Sequence, residues 1–406
     1  MNKPPDLPAI APDLLVDFDF FGVEAIDGDL HQGWKRLHQG PEIFYTPRNG
    51  GHWVFTRAEE IGAAWMDHDR FSNKGVAMSR EEREMGLLPG EADPPQHAHY
   101  RALLQAFFSQ KAVHALEDRM RTLTRTLIEE FVDRGSCEFQ ADVARKMPIY
   151  IFLTMMELPL EDAAALLPAA DWLTRDSDPE SFLRAMQAMM GYLQQRIAER
   201  ETNPGGDFIG RLLTAQIDGR AVTRHEVLSL TANVMFGGLD TVVSSMGFFM
   251  NFLGRHAAHC RQLVDEPTLI PDAVEELLRR HGISNFGRMI ARDFEFKGLP
   301  MREGDLVLLP AALYNLDERK FADPMTVDFR RPVKHHMGFG TGIHRCLGAQ
   351  LARVELRVLL QEWLPRIPEF HADAAGVVVK SGRINGVKTL PLYWKHRYRG
   401  HRDHGL

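Results

Sequence analysis

The chain has 406 residues, 44 % hydrophobic and 25 % charged, with a formal net charge of −7. That is ordinary globular material with enough apolar residues for a large core. The acidic balance argues against general nucleic-acid binding, while leaving room for a local basic patch. Three cysteines, Cys137, Cys260 and Cys346, form neither a disulfide framework nor a zinc pattern and suit a reducing compartment. The N-terminus is rich in Pro and Asp and lacks a basic stretch followed by an apolar run, so a cytoplasmic location without signal peptide or anchor is expected. No repeat or Gly/Ser linker divides the chain. One domain over 1–406 is expected, with 1–38 as an N-terminal extension.

In chain order, residues 42–56 alternate apolar and polar around Asn49-Gly50-Gly51 and predict a β-hairpin; 57–69 read as helix. From Ser109 to Gly135, Val113, Leu116, Met120, Leu123, Leu127 and Phe131 recur every three or four positions. This predicts one long amphipathic helix that Ser109 caps and Gly135 ends. Further helix follows over 143–217, broken by Pro159, Pro179 and 203–206. Short strands are expected at 294–298 and 306–310, giving a mainly α fold with small β-sheets.

Thr223 and Glu226 spell a capping box. The apolar run that follows, Val227 to about Leu253, is long enough to span a membrane. Asn233, Asp240, Ser244, Ser245 and Asn251 interrupt it and no basic flank orients it, so it reads as a helix through the centre of a domain. Its middle, GGLDT (237–241), is costly, because each glycine loses about 1 kcal/mol against alanine in a helix interior. Two readings stand: a close helix–helix contact that needs small residues, or space for a flat object beside a proton-handling Asp240–Thr241 pair.

The stretch FGTGIHRCLG (339–348) places Cys346 just ahead of a predicted helix, 347–364. Unpaired amides and the helix dipole favour a thiolate there. Gly340 and Gly342 let the backbone turn tightly, Phe339 shields one side, and Gly348, in the first helical turn, leaves room for a ring. One thiolate cannot hold zinc, but it can hold the iron of a haem, whose porphyrin supplies four ligands.

FGTGIHRCLG resembles the haem-binding signature of the cytochrome P450 family. GGLDT is similar to that family's oxygen-site motif, Glu276-Leu277-Leu278-Arg279 to its E-x-x-R pair, and DPPQHAHYR (93–101) to the segment opening its propionate-binding helix. The four motifs fall in family order and cover about 40–395. GGLDTVV, EELLRR, DERKFADPMTVDF and SGRINGVKTLPLYW resemble the bacterial camphor-hydroxylase branch, whose members oxidise monoterpenoids and norisoprenoid ketones.

The resemblance implies a single haem-thiolate domain of cytochrome P450 fold carrying haem b, with Cys346 as the iron ligand. His97, Arg101, Arg288 and His344 are expected at the propionates, with Gly237, Gly238, Phe339 and Gly348 also against the haem. Asp240 and Thr241 would deliver protons beside a locally opened helix. Glu276, Arg279 and Arg331 (or Arg330) would form a buried ionic cluster. Met85, Asn233, Phe236, Thr241, Ser284, Phe286 and Ile384 would line the substrate pocket. Loop 73–92 lacks the tyrosine that anchors the ketone in the camphor branch, and Met85 stands near that position, so an apolar substrate other than camphor is expected. The implied activity is a monooxygenase fed by a [2Fe–2S] ferredoxin and its flavin-dependent reductase, with Arg345, Lys334 and cations of 97–125 as docking candidates. A monomer without membrane or nucleic-acid partner is expected. A peroxide-driven peroxygenase and a non-enzymatic haem sensor are the alternatives.

Overall fold

The computed structural model describes residues 10–78, 86–175, 179–332 and 335–395. Met85 and Lys334 lie outside the described residues.

The fold is organised by one helix, Arg224–Arg255, hereafter the central helix. Its capping box is present: the Thr223 hydroxyl accepts from the Glu226 amide, and the Glu226 carboxylate accepts from the Thr223 amide at 2.8 Å. Such a cap contributes about 1 kcal/mol. Among the described residues it is the one helix long and apolar enough to cross a membrane, yet more than half of its most apolar stretch is buried inside the fold. Two apolar cores meet along it. Val227, Leu230, Met235 and Leu239 pack among helices Lys146–Met156, Ala163–Arg175 and Pro179–Thr202. Val242, Val243, Met246 and Phe249 pack into the larger core, with the sheets and helix Ala349–Trp363. Asp240 and Thr241 fall at the seam.

A five-stranded sheet flanks the larger core. Its strand order is Ile43–Thr46, His52–Phe55, Leu306–Pro310, Asn285–Ile290, Phe71–Ser72. The first two are the expected hairpin, with Ile43 opposite Phe55. The expected strands appear as Phe294–Phe296 and Leu306–Pro310. A C-terminal hairpin, Val378–Lys380 with Gly386–Thr389, packs on the central helix.

Several boundaries differ from expectation. The helix expected over 57–69 is Ala58–Met66. Ser109 does cap its helix, accepting from the Ala112 amide, but that helix stops at Glu129. A 3-10 turn, Val132–Arg134, follows, and Gly135, at φ 74°, ends that turn instead. Phe131 is buried outside the helix, against Trp363. Periodicity therefore identified the buried face correctly and overran the element carrying it.

The Glu276–Arg279 pair, on helix Ile270–Arg280, is fully buried. Arg279 donates to both carboxylate oxygens at 2.8 Å, and its remaining protons go to the carbonyls of Asn315, Pro324 and Thr326. Arg331 completes the cluster, donating from Nε to Glu276 at 3.1 Å and from Nη1 to Ala322 O at 2.6 Å. Arg330 is on the surface, paired with Glu266. A buried pair of this kind fixes geometry more than it adds stability. Here it clamps the segment 315–331 that leads to the Cys346 loop.

Helix Ala349–Trp363 also holds a carboxyl with no cation paired to it among the described residues. Glu355 is buried, and burial pushes it up to about 8. A raised carboxyl favours folding fully below its unfolded pKa of about 4.3, and that contribution is lost as pH rises through the folded value. Glu355→Gln is therefore expected to gain stability over the parent between about pH 5 and 8, by a few kcal/mol at the upper end. Denaturant unfolding at several pH values checks this; a gain independent of pH would contradict it.

Candidate active site

The loop that carries Cys346 is closed by its own backbone: the Cys346 amide donates to Phe339 O at 2.8 Å. Two turns bring this about, at Gly340 (φ 64°) and Gly342 (φ 68°), where any L side chain would be strained. A Cβ on Gly340 would also stand 2.8 Å from the Trp65 ring. The helix begins at Ala349 with Gly348 as its cap residue, so Gly348 precedes the first turn where it was expected to lie within it. A Cβ there would lie 3.9 Å from the Cys346 sulfur.

Cys346 is exposed, yet enough protein surrounds its sulfur to shift its thiol. Burial raises its thiol, opposed by the Gly348 amide and by Arg101, Arg353 and Arg345. The thiolate expected from the helix end alone is thus not the resting form of the bare thiol; the local donors are outweighed. Among the described residues no three His, Cys, Asp or Glu side chains converge as a metal site, so Cys346 offers a single protein ligand.

Near it stand cations and imidazoles, three of which keep a buried nitrogen without a partner among the described residues. Arg288 is fully buried on strand Asn285–Ile290, 4.0 Å over the Trp65 ring. Its Nη1 donates to Gly287 O at 2.7 Å, and its Nη2 has no partner among the described residues. Burial pulls Arg288 down to about 9, with Asp93 opposing. His97 and His344 face each other with ring centroids 4.1 Å apart, and Nε2 of each is buried and unpartnered among the described residues. Burial lowers both, His344 to about 3, and neighbouring cations push the same way, so both rings are neutral at neutral pH. Arg101 donates to Arg345 O at 2.8 Å, tying helix Gln96–Gln105 to the cysteine loop. Unsatisfied buried donors cost about 1–3 kcal/mol each, more when charged, and clusters of them mark where an anion belongs. This donor set fits a group that brings carboxylates at its edge and a metal at its centre.

The facing wall is the central helix. A Cβ added at Gly237 or Gly238 would meet nothing within 4 Å. The close-contact reading of these glycines is therefore overturned, since no neighbouring helix presses on them. The helix runs unbroken through them, and the expected local opening is absent. The Thr241 hydroxyl donates to Gly237 O at 2.7 Å, which leaves its oxygen free to accept. Asp240 Oδ1 is buried without a partner among the described residues, and burial raises its carboxyl, with Lys380 and Arg383 opposing.

Ser284 and Ile384 bridge as an antiparallel pair, and Ser284, Phe286 and Arg288 alternate along one stretch of chain onto one face. Phe236 packs in the helical core beside Leu239, and Asn233 Oδ1 abuts Gly90. A separate surface groove of about 610 Å³, lined by Leu116, Met120 and Tyr150, contains none of the expected site residues.

Comparison with known proteins decides what this arrangement is. Residues 155–367 match the sequence model of the family described as Cytochrome P450. The chain belongs to the cytochrome P450 family. A probable cytochrome P450 127A1 from Sinorhizobium fredii is 34 % identical, covering 91 % of both chains. The crystal structure of CYP101J2 superposes with TM-score 0.87 at 34 % identity, over 97 % of this chain and 100 % of that one. CYP101C1 gives 0.89 at 35 %, over 96 % and 100 %. The chain is accordingly a P450 monooxygenase whose cofactor is haem b, and the resemblance to the camphor-like branch holds.

Three contributors to this P450 site were missed. Trp65 lies under Arg288 and against Gly340, but nothing in its local sequence marks it. Arg353 stacks 4.4 Å over Phe339 and pairs with Glu275; its place one turn into the cysteine helix was a usable signal. Lys380, whose charge acts on Asp240, comes from a distant hairpin.

Arg288→Met should have opposite effects on the two states. The haem-free chain sheds a buried, unpartnered charge and gains stability. The holoprotein would lose the charge-assisted hydrogen bond, worth about 1.5–3 kcal/mol, that Arg288 would make to a haem carboxylate, and is expected to release haem roughly tenfold or more faster. Thermal melts of both forms and haem transfer to apomyoglobin check this; unchanged haem release would contradict it.

Proposed function

We propose that this P450 hydroxylates a small apolar terpenoid or norisoprenoid, an ionone-like ketone being the sharpest case. Electrons would come from a [2Fe–2S] ferredoxin reloaded by a flavin-dependent reductase. The single observation that carries the reading is the open face of the central helix at Gly237 and Gly238, where an added Cβ would meet nothing within 4 Å; Phe236, Phe286 and Ile384 would flank it. A flat group fits against the glycines and an apolar molecule against the flanks.

Cys346 would hold the haem iron, with Arg288, Arg101, His97 and His344 at its propionates. When bound, haem supplies the centre at which dioxygen is activated and one oxygen atom is inserted into a C–H bond. The protein's own share is positioning and proton supply. Arg353 stacks on Phe339 and keeps water off one side of the cysteine loop. Thr241, its proton committed to Gly237 O, accepts a hydrogen bond from a water or a protonated ligand in the opening. Asp240, whose carboxyl burial raises, lies one residue from that oxygen and would relay a proton toward it as the general acid. The phenyl rings of Phe236 and Phe286 shape a pocket that excludes polar substrates. Asn233 would complete it, and the resemblance adds Met85.

Toward the ferredoxin, Arg345 is exposed beside Cys346 and would steer an acidic partner. Arg121 and Arg125 are weaker candidates, because Glu362 already pairs with both.

Spectral titration of the purified holoprotein tests the pocket. An ionone should convert the iron to high spin at least tenfold more tightly than camphor does. With ferredoxin, reductase and dioxygen it should give a product one oxygen heavier by mass spectrometry. Tight camphor binding with a full spin shift would overturn the substrate assignment, and turnover with peroxide but none with ferredoxin would overturn the electron route.

A further inference from the structure

The central helix meets the loop that precedes helix Gln96–Gln105 along one row of side chains. Ser229, Asn233 and Gly237 recur every fourth residue, so they share one helix face. At one end of the row Ser229 is buried and its hydroxyl is used twice. It donates to Gly86 O at 2.6 Å and accepts from the Leu88 amide at 2.8 Å. At the other end Gly237 faces open space. Asn233 stands between them, half-buried, about 6 Å along the helix axis from Gly237, so one small molecule can touch both. A Cβ on Gly90 would lie 3.1 Å from Asn233 Oδ1 and 4.0 Å from its Cγ, so the oxygen is the end of the amide that abuts the loop.

The loop's own carbonyls are already engaged. Gly86 O accepts from Ser229, Leu87 O from the Glu91 amide, Pro89 O from the Ala92 amide and Gly90 O from Asn73 Nδ2. The Asn233 side chain makes no hydrogen bond among the described residues, whereas Ser229, one turn earlier, makes two. An amide that faces water at this position costs little. Once an apolar molecule displaces that water, its N–H groups lose their partners. The penalty then falls on every ligand without an acceptor to offer. A leucine would fill similar space without it.

We propose that Asn233 is a specificity-determining residue of the substrate pocket: with Oδ1 turned to Gly90, its Nδ2 donates to a carbonyl oxygen of the substrate. The proposal rests on the reading of the space beside Gly237 as the pocket for an ionone-like ketone, and it names the contact that holds the ketone. It supplies from the central helix the donor that loop 73–92, without a tyrosine, does not. An asparagine that merely packs would treat a ketone and its parent hydrocarbon alike.

Paired ligands and one substitution of similar size separate these roles without catalysis. The purified holoprotein and Asn233→Leu are titrated with β-ionone and with the hydrocarbon in which its carbonyl is a methylene. The parent should bind the ketone at least roughly tenfold more tightly than the hydrocarbon, and Asn233→Leu should erase the difference by weakening the ketone alone. The carbonyl stretch of bound β-ionone, read by isotope-edited infrared difference, should lie below its value in an alkane solvent and return to that value in Asn233→Leu. Equal binding of both ligands by the parent, equal losses of both in the variant, or an unshifted stretch in the parent would overturn the anchor. Failure of the parent to bind either ligand would instead overturn the terpenoid reading, and the anchor with it. Should Asn233→Leu fail to fold, Gly90→Ala, whose methyl presses on Oδ1, carries the same predictions in milder form.

Discussion

A guanidinium and two imidazoles near the cysteine loop, each with one buried nitrogen that lacks a partner among the described residues, impose the constraint on which this structure depends. Arg288 Nη2, His97 Nε2 and His344 Nε2 each lack a partner among the described residues. A chain selected for stability alone would not keep such a set, because each group gives up hydration for nothing. Haem b would resolve it, its propionates meeting the donors and its iron the sulfur. The bare thiol is pushed up by burial; a metal overrides that by binding the thiolate directly. The apoprotein is thus electrostatically unfinished, and the holoprotein is the state for which the sequence is consistent.

The rest of the fold serves that cavity. The central helix joins two apolar cores, and at their seam Gly237 and Gly238 face open space and Asp240 is sealed on one oxygen. The buried Glu276–Arg279–Arg331 cluster clamps the chain that delivers the cysteine loop. Trp65 serves two elements at once, a floor for Arg288 and a wall that only a glycine at 340 can approach.

Much of this was legible in the sequence for local reasons. Capping at Thr223 and Ser109, the 42–56 hairpin, the cysteine loop and the E-x-x-R pair all depend on neighbours within a few residues. The overrun past Glu129 has the same origin. Phe131 satisfies helical spacing, but its burial comes from Trp363, more than two hundred residues away. Glycines 237 and 238 were ambiguous because a tight contact and an empty space require the same residue type; only tertiary structure separates them. Trp65 and Lys380 act through pairings across the chain that no local pattern encodes. Arg330 and Arg331 could not be distinguished until the backbone turned one inward and the other to Glu266.

The central claim is that Cys346 sulfur is the protein's ligand to haem iron. The measurement that meets it most directly is the carbon-monoxide difference spectrum of the reduced holoprotein, recorded beside Cys346→His. The account predicts a Soret band at the long-wavelength position that thiolate ligation produces, moved to the short-wavelength imidazole position in the variant. A parent spectrum already at the imidazole position, or a variant spectrum identical to the parent's, would contradict it.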